Sequence, residues 1–431
     1  MSAAVIPDQL AKRRWWILVA NVVAMVAIAN LQYGWTQFTT PLTQSLKQTL
    51  PVIQVTFTLF VVAQTWPQFL YGWLLEKFGT RLVVSVGALF VAWAWIGSGL
   101  AKGLPMLYTS YTIGGVGAGI VYGACVSMGT KWFPDRRGLA VGITAGAYGF
   151  GSAFTVIPIA NMITGSGIGP TFITFGIIQG VLVLLMAQFM RFPAVGWKPA
   201  GWVPNANSAV KMSTREYTPK EMLSTKTFYV LYLMMTMLAF GGMMMTAQMK
   251  PLAHTFGHDK LIVFGSVTFL SMALINEQIA NGFTRPFWGW ISDYIGRYNT
   301  MAIAFTIEST GLVLLSIFIK NPYAFMFLSA LTYFAWGEIY SLFPSAITDV
   351  YGSKNSAKNY GILYTSKGVA TIAAAPGAAW LMTTTGSWTP VLLTAAAFDI
   401  TAAALALFWL KPMVTKQLAA QKSAESGKAA V

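Results

Sequence analysis

The sequence is short of the residues that build enzyme and metal sites. Of 431 residues, one is cysteine, Cys125, and two are histidine. A single thiol excludes an internal disulfide and any metal cluster made of thiolates. His254 and His258 are spaced i,i+4 in a connecting loop, but no third ligand stands near them, so no metal site is expected. No nucleophile and base are spaced as a catalytic pair, and neither an enzyme activity nor a cofactor is expected. Charge is also scarce. Charged residues make up 10% of the chain, against about 25% in soluble proteins. Acidic residues are the rarest class, 13 against 28 basic, leaving a net charge of +15. That excess could suggest a nucleic-acid partner. The positive charges flank apolar runs, however, which is a topology signal instead, and no nucleic acid is expected.

What fills the chain is hydrophobic sequence, 55% of all residues. A helix crossing a bilayer needs about 20 apolar residues, and twelve such stretches are present: 15–38, 52–75, 82–101, 105–130, 139–163, 170–191, 226–249, 263–290, 300–319, 322–347, 359–383 and 388–410. The runs are too long and continuous for barrel strands. The first is too long for a signal peptide core and reads as a retained helix. The fold class is therefore an all-α membrane protein with twelve transmembrane helices, its partner the lipid bilayer. With the N-terminus inside, 21 of the 28 basic residues fall in inner loops and 5 in outer loops. This asymmetry places both termini in the cytoplasm. The expected organisation is a six-helix half at 1–191, a cytoplasmic linker at 192–225, a second half at 226–410 and a tail at 411–431. A short helix is expected near Thr218–Leu223, where Thr-Pro precedes Lys-Glu. The Ala-, Lys- and Ser-rich tail is expected to be disordered.

The halves repeat. Gly72, Glu76, Gly79 and Arg81 follow the second span, and Gly289, Asp293, Gly296 and Arg297 follow the eighth. Both stretches read G-x-x-x-acid-x-x-G. The first glycine would allow close helix contact, the acid could cap or pair, and the second glycine would permit a tight turn. Two pseudo-symmetric six-helix halves with a site near mid-membrane are a transporter signature, and these eight residues are its candidate conformational switch.

Two basic residues lie in no loop. Arg285 is eight residues inside Asp293, about 12 Å deep at 1.5 Å per residue. Lys367 is nine residues inside Lys358, about 13 Å deep. Half the hydrocarbon core is about 15 Å. Both cations thus sit near the midplane, where a charge is costly and usually functional. Buried acids could pair with them for structural reasons; Glu277, Glu308, Glu338 and Asp399 are the candidates. None is at i±3 or i±4, so no local pair neutralises them. Otherwise the two cations bind an anion, and two fixed charges suit a dicarboxylate. Arg can hold a carboxylate through two parallel bonds, and Lys acts as a point charge.

The paired motif and twelve spans resemble the major facilitator superfamily. Within it, Leu31–Trp35, Lys131–Ala140, Arg285–Gly289 with Ser292–Tyr298, Trp336–Ser345, and Ser356–Gly361 followed by Lys367 resemble the oxalate/formate antiporter family. The resemblance implies a secondary transporter of a bacterial inner membrane, monomeric, exchanging small carboxylate anions, oxalate entering and formate leaving. It also implies an aromatic and amide lining, for which Gln32, Tyr33, Gln54, Tyr122, Trp336 and Tyr340 match. Glu338 departs from the family pattern. Two positions from both Trp336 and Tyr340, it points roughly away from their face; it could neutralise Lys367 or, like Glu277, carry a proton. The alternative function is a proton-coupled carrier of monocarboxylates such as lactate. Related monocarboxylate carriers place an Asp one turn before the arginine, where this chain has Asn281. A membrane sensor is disfavoured because neither linker nor tail is long enough for a signalling domain. The glycines at 114–119 lie within a span and read as packing ridges with Gly123, Gly138, Gly142 and Gly146. Met243–Met245 read as helix packing.

Overall fold

A computed structural model describes residues 8–133, 135, 137–194, 197, 199, 213, 215–265, 267–352 and 355–429. Half of the expected linker, including Lys198 and Lys211, lies outside the described residues, as do Pro134 and Arg136 of one motif stretch. The chain divides into two compact units, Met1–Ser208 and Ala209–Val431.

The first unit comprises α1 (Asp8–Tyr33), α2 (Thr36–Leu46), α3 (Leu50–Thr65), α4 (Gln68–Phe78), α5 (Thr80–Gly99), α6 (Leu104–Trp132), α7 (Arg137–Phe150), α8 (Val156–Ser166) and α9 (Ile168–Ala187). The second comprises α10 (Pro219–Leu223), α11 (Lys226–Thr255), α12 (Phe269–Ile295), α13 (Arg297–Phe318), α14 (Pro322–Trp336), α15 (Ile339–Tyr351), α16 (Ser356–Ile372), α17 (Ala378–Thr385), α18 (Thr389–Leu405) and α19 (Lys411–Ala429). Several expected spans are helix pairs broken midway. Pro67, with no N–H to donate, separates α3 from α4, which bend by 51°. Gly337 and Glu338 separate α14 from α15, and a wider turn at Ala373–Gly377, around Pro376, separates α16 from α17.

Among the described residues, eight helices are long and apolar enough to cross a membrane, or nine if the bent α3–α4 pair counts as one. This multi-pass count is lower than the twelve expected spans. The stretches of the second unit that fail the test are α12, α14–α15 and α16–α17. They are also the ones carrying Arg285, Glu338 and Lys367. Polar residues lower the apolarity of α12, and the breaks leave α14, α15, α16 and α17 at 15, 13, 17 and 8 residues, each too short to cross alone.

Other expectations shift. The span expected at 263–290 starts instead as a two-strand hairpin, Ile262–Phe264 against Val267–Thr268, and the helix runs from Phe269 to Ile295. Gly265 turns the hairpin at φ 54°, and apolar periodicity alone does not separate a short strand from helix. The tail is helical to Ala429, not disordered. Alanine favours helix, and Gln417 and Gln421, one turn apart, both donate to the Tyr217 hydroxyl. The short helix at Thr218 forms with a full capping box: Glu221 N–H donates to Thr218 Oγ1, and Thr218 N–H donates to Glu221 Oε2. The Thr218 N–H and the Arg215 guanidinium together hold the Glu221 carboxyl at about 2.

Gly79 and Gly296, the second glycines of the repeat, both take φ near +80° with extended ψ (82°, 149° and 85°, 150°). L side chains essentially do not adopt that region, so these are obligatory glycine turns. The first glycines act differently than expected. A methyl at Gly72 or Gly289 meets nothing within 4 Å, so neither supports close packing in its own unit. The ridge reading holds on α6, where a methyl at Gly115 would stand 2.2 Å from the Phe60 carbonyl. It fails at Gly142, which has open space.

Candidate functional site

In the second unit, the break in α14–α15 brings the aromatic residues to the cations. Gly337 packs on α12: a methyl there would lie 2.0 Å from Thr284 Cγ2 and 3.2 Å from Asn281 Oδ1. The break leaves the Phe334 carbonyl accepting from α12, from Trp288 Nε1 at 2.8 Å and from the Thr284 hydroxyl. One turn on, Tyr340 lies beside Arg285, its ring centroid 4.7 Å from the guanidinium carbon. Lys367 Nζ on α16 is 5.7 Å from the same ring. Arg285 and Lys367 are 4% and 1% exposed, and each charge acts on the other. A ring face is a weakly negative surface, so Tyr340 partly stabilises both charges. Trp336 packs edge-on against Tyr340 with centroids 5.3 Å apart. It fits there because Gly242 on α11 has no side chain: a methyl would stand 2.1 Å from the indole.

Two residues of this cluster escaped the sequence reading. Tyr364 accepts from Lys367 Nζ at 3.4 Å, and its ring is 6.2 Å from that of Tyr340. Its i−3 spacing from Lys367 was the available signal. Tyr333, ring to ring with Trp336 at 5.4 Å, shares a 2.6 Å hydroxyl bond with Thr246.

The buried acids do not neutralise the cations. Glu277, Glu308, Glu338 and Asp399 are fully buried, and among the described residues none forms an ion pair with Arg285 or Lys367. Glu338 lies within electrostatic reach of Glu308, and neither of its carboxyl oxygens has a hydrogen-bond partner among the described residues. Glu277 lies beside the Ser329 hydroxyl.

The first unit gathers its candidates around another residue that the sequence did not flag, Tyr148 of α7. Gln64 Nε2 donates to the Tyr148 hydroxyl at 2.9 Å, which in turn donates to Gln32 Oε1 at 2.9 Å. The rings of Tyr33 and Tyr122 lie 5.4 Å and 5.3 Å from that of Tyr148. Gln32, Tyr33 and Tyr122 are thus brought together. Gln54 accepts from Trp35 Nε1 at 2.9 Å, two residues beyond Tyr33. The residue one repeat offset before Arg285 is the amide Gln68, bonded to the Gln64 carbonyl at 3.0 Å.

The repeated motif makes parallel links within each unit. Glu76 pairs with Lys131 at 3.4 Å, tying α4 to α6. Arg81 donates to the Gln188 carbonyl at 2.6 Å. Arg297 pairs with Asp349 at 3.3 Å, tying α13 to α15. The Asp293 side chain lies outside the described residues. His254 and His258 have separate partners, Asp259 at 2.6 Å and the Ile319 carbonyl at 2.6 Å, and each pins the connecting loop.

The profile of the Major Facilitator Superfamily matches residues 17–280 and 263–430. The oxalate:formate antiporter of Oxalobacter formigenes is 34% identical over 401 residues, 93% of this chain and 92% of that protein. The uncharacterized MFS-type transporter YhjX of Escherichia coli (strain K12) is 24% identical over 85% of this chain and 88% of its own length. Monocarboxylate transporter 12 of Mus musculus is 24% identical over 72% of this chain and 67% of its own length. A profile spanning nearly the whole chain and a 34% identical relative aligned end to end leave one placement: the chain belongs to the major facilitator superfamily of transporters and, within it, to the oxalate/formate antiporter family.

Proposed function

We propose that the chain exchanges small carboxylates across a bacterial inner membrane, oxalate entering against formate leaving, with both termini cytoplasmic. Arg285 and Lys367 supply the anion site. The observation that carries this reading is the placement of two buried cations, from two different helices, on one tyrosine ring. A dicarboxylate offers one charge to each. The guanidinium takes one carboxylate through two parallel bonds, and the ammonium takes the other as a point charge. Tyr340, Tyr364 and Trp336 supply an aromatic wall suited to a small planar anion. Gln32, Tyr33, Gln54 and Tyr122, with Tyr148, supply the neutral polar lining of the first unit.

The charge pair also accounts for obligatory exchange. Without an anion, two like charges resist closure of the site. With one bound the repulsion is offset, and the carrier reorients only when loaded. The glycine turns at Gly79 and Gly296, with the Glu76–Lys131 and Arg297–Asp349 links, are the elements that would break and re-form during reorientation. Exchange of a dianion for a monoanion moves net charge.

Reconstituted protein tests this. Labelled oxalate should enter vesicles loaded with formate or oxalate and not empty ones, and Arg285→Gln or Lys367→Gln should each abolish uptake while the protein still elutes as a single folded species. Wild-type uptake in either variant removes that residue from the site. The alternative, proton-coupled monocarboxylate transport, is favoured by the similarity to a monocarboxylate transporter. Lactate entry into empty vesicles under a pH gradient would establish it and overturn exchange.

A further inference from the structure

Glu308 of α13 and Asp399 of α18 meet at a point where α11 has no side chain. From the position where a Gly241 methyl would begin, Glu308 Oε1 is 3.0 Å away and both Asp399 oxygens are 3.5 Å away. Both residues are fully buried, and all four of their carboxyl oxygens are without a hydrogen-bond donor among the described residues. Nearby, Ser309 donates to the Ala396 carbonyl at 2.8 Å, directing its hydroxyl away from the carboxylates and locking α13 to α18. Glu338 is a third unpartnered buried carboxyl and acts electrostatically on Glu308. Of the helices packed against α13 and α18, α11 contributes Gly241 and carries Lys226 and Lys250 towards its two ends, α14 carries no acidic or basic residue, α15 carries Asp349, which pairs with Arg297, and α12 carries Asp293 at its end with Glu277 and Arg285, neither of which pairs with Glu308 or Asp399.

Two carboxylates a few ångströms apart at membrane depth cannot both stay ionised without a cation. Among the described residues no basic side chain is paired with either. What such orphaned acceptors lack is a donor, and the smallest is a proton: protonating one carboxyl removes the repulsion and provides an O–H for the other. We propose that Glu308 and Asp399 form a proton-binding site, separate from the Arg285–Lys367 pair, in which the two carboxyls share a proton at neutral pH. Losing it at alkaline pH leaves two anions facing each other between α13 and α18 and drives those helices apart at Gly241. The site gives the second unit a titratable charge that the anion pair does not have.

Infrared difference spectroscopy on the full-length protein in detergent tests this. The wild type at neutral pH should show a carboxylic-acid C=O band that shifts in D2O and disappears on alkaline titration. The band should weaken in Glu308→Gln and in Asp399→Asn, and persist in Glu277→Gln and Glu338→Gln. Where a variant fails to fold, 13C-aspartate labelling of the wild type replaces it: part of the acid band must move with the label. No acid band at neutral pH, or a band untouched by both variants and by the label, overturns the proposal. A band that appears only when sodium and potassium are removed also overturns it, making the pair a metal-cation site. Oxalate exchange on the same samples is scored separately, since loss of exchange with the acid band intact refutes the anion reading alone.

Discussion

Gly242→Ala is the sharpest test of how the second unit positions its cations, because it adds one methyl and changes no charge. That methyl would start 2.1 Å from Trp336 Cε2 and 2.2 Å and 2.3 Å from Cδ2 and Nε1. Carbon–carbon contacts settle at about 3.5–4.0 Å, so the indole must move by roughly 1.5 Å. It has no free space to move into: Trp336 is fully buried and is packed between Tyr333 and Tyr340. Overpacking of this kind costs about 1–3 kcal/mol. Displacement passes to Tyr340, whose ring is shared by Arg285 and Lys367. A positional error of about 1 Å at a reacting site can cost on the order of 100-fold, and initial exchange rates should fall by about 10- to 100-fold. The assay is initial-rate uptake of labelled oxalate into oxalate-loaded proteoliposomes, normalised to folded protein by size exclusion. Gly361→Ala is the control, since a methyl there meets nothing within 4 Å. Exchange at the wild-type rate in Gly242→Ala, or an equal loss in Gly361→Ala, refutes the coupling from α11 through Trp336 to the cations.

Three further outcomes follow from other parts of the chain. Tyr148→Phe keeps the ring contacts with Tyr33 and Tyr122 but breaks the Gln64–Tyr148–Gln32 chain. At about 0.5–1.5 kcal/mol per hydrogen bond, thermal unfolding should shift modestly and oxalate exchange should weaken; an unchanged apparent affinity would exclude Tyr148 from the lining. Gly296→Ala forces a side chain into a glycine-only backbone region and should cost about 1–3 kcal/mol, read as a lower unfolding temperature. The Gly79→Ala variant should match it, since the two turns share their dihedral angles. For α10, the Glu221 carboxyl is depressed to about 2 from an ordinary 4.5 by Thr218 and Arg215. Its contribution is therefore present above the unfolded value and lost as pH falls from about 4.5 towards 2. Amide-exchange protection over 217–225, corrected for intrinsic rates, should drop in that window in the wild type and not in Glu221→Gln.

The repeated G-x-x-x-acid-x-x-G stretches were legible because their chemistry is local. A glycine three residues after an acid at the end of an apolar run reads as a turn from spacing alone, and both second glycines occupy backbone that other residues avoid. The placement of Arg285 and Lys367 by one ring was within reach of the same reasoning, since counting residues along each helix gives the two a similar expected depth. Tyr364 was within reach of the same helical arithmetic. Tyr148 was not: nothing near it in sequence announces that Gln32 and Gln64, 116 and 84 residues away, would bond to one hydroxyl. Glu338 was legible only in part. Its position two residues from both Trp336 and Tyr340 left open whether it balances Lys367 or carries a proton, whereas the fold brings it within electrostatic reach of Glu308.

By itself, the sequence determined that the chain is helical and spans a membrane, where its glycine turns fall, and which two cations lie inside its helices. These properties follow from transfer free energies and backbone conformations that each residue carries wherever the chain places it. Tertiary structure alone decided which buried groups meet. Helix rotation and helix breaks set the ring that Arg285 and Lys367 share, the absent methyl at Gly242 that admits Trp336, and the juxtaposition of Glu308 with Asp399 at Gly241. A charge in hydrocarbon is answered by whichever group packing brings within a few ångströms, and that neighbour is seldom close in sequence.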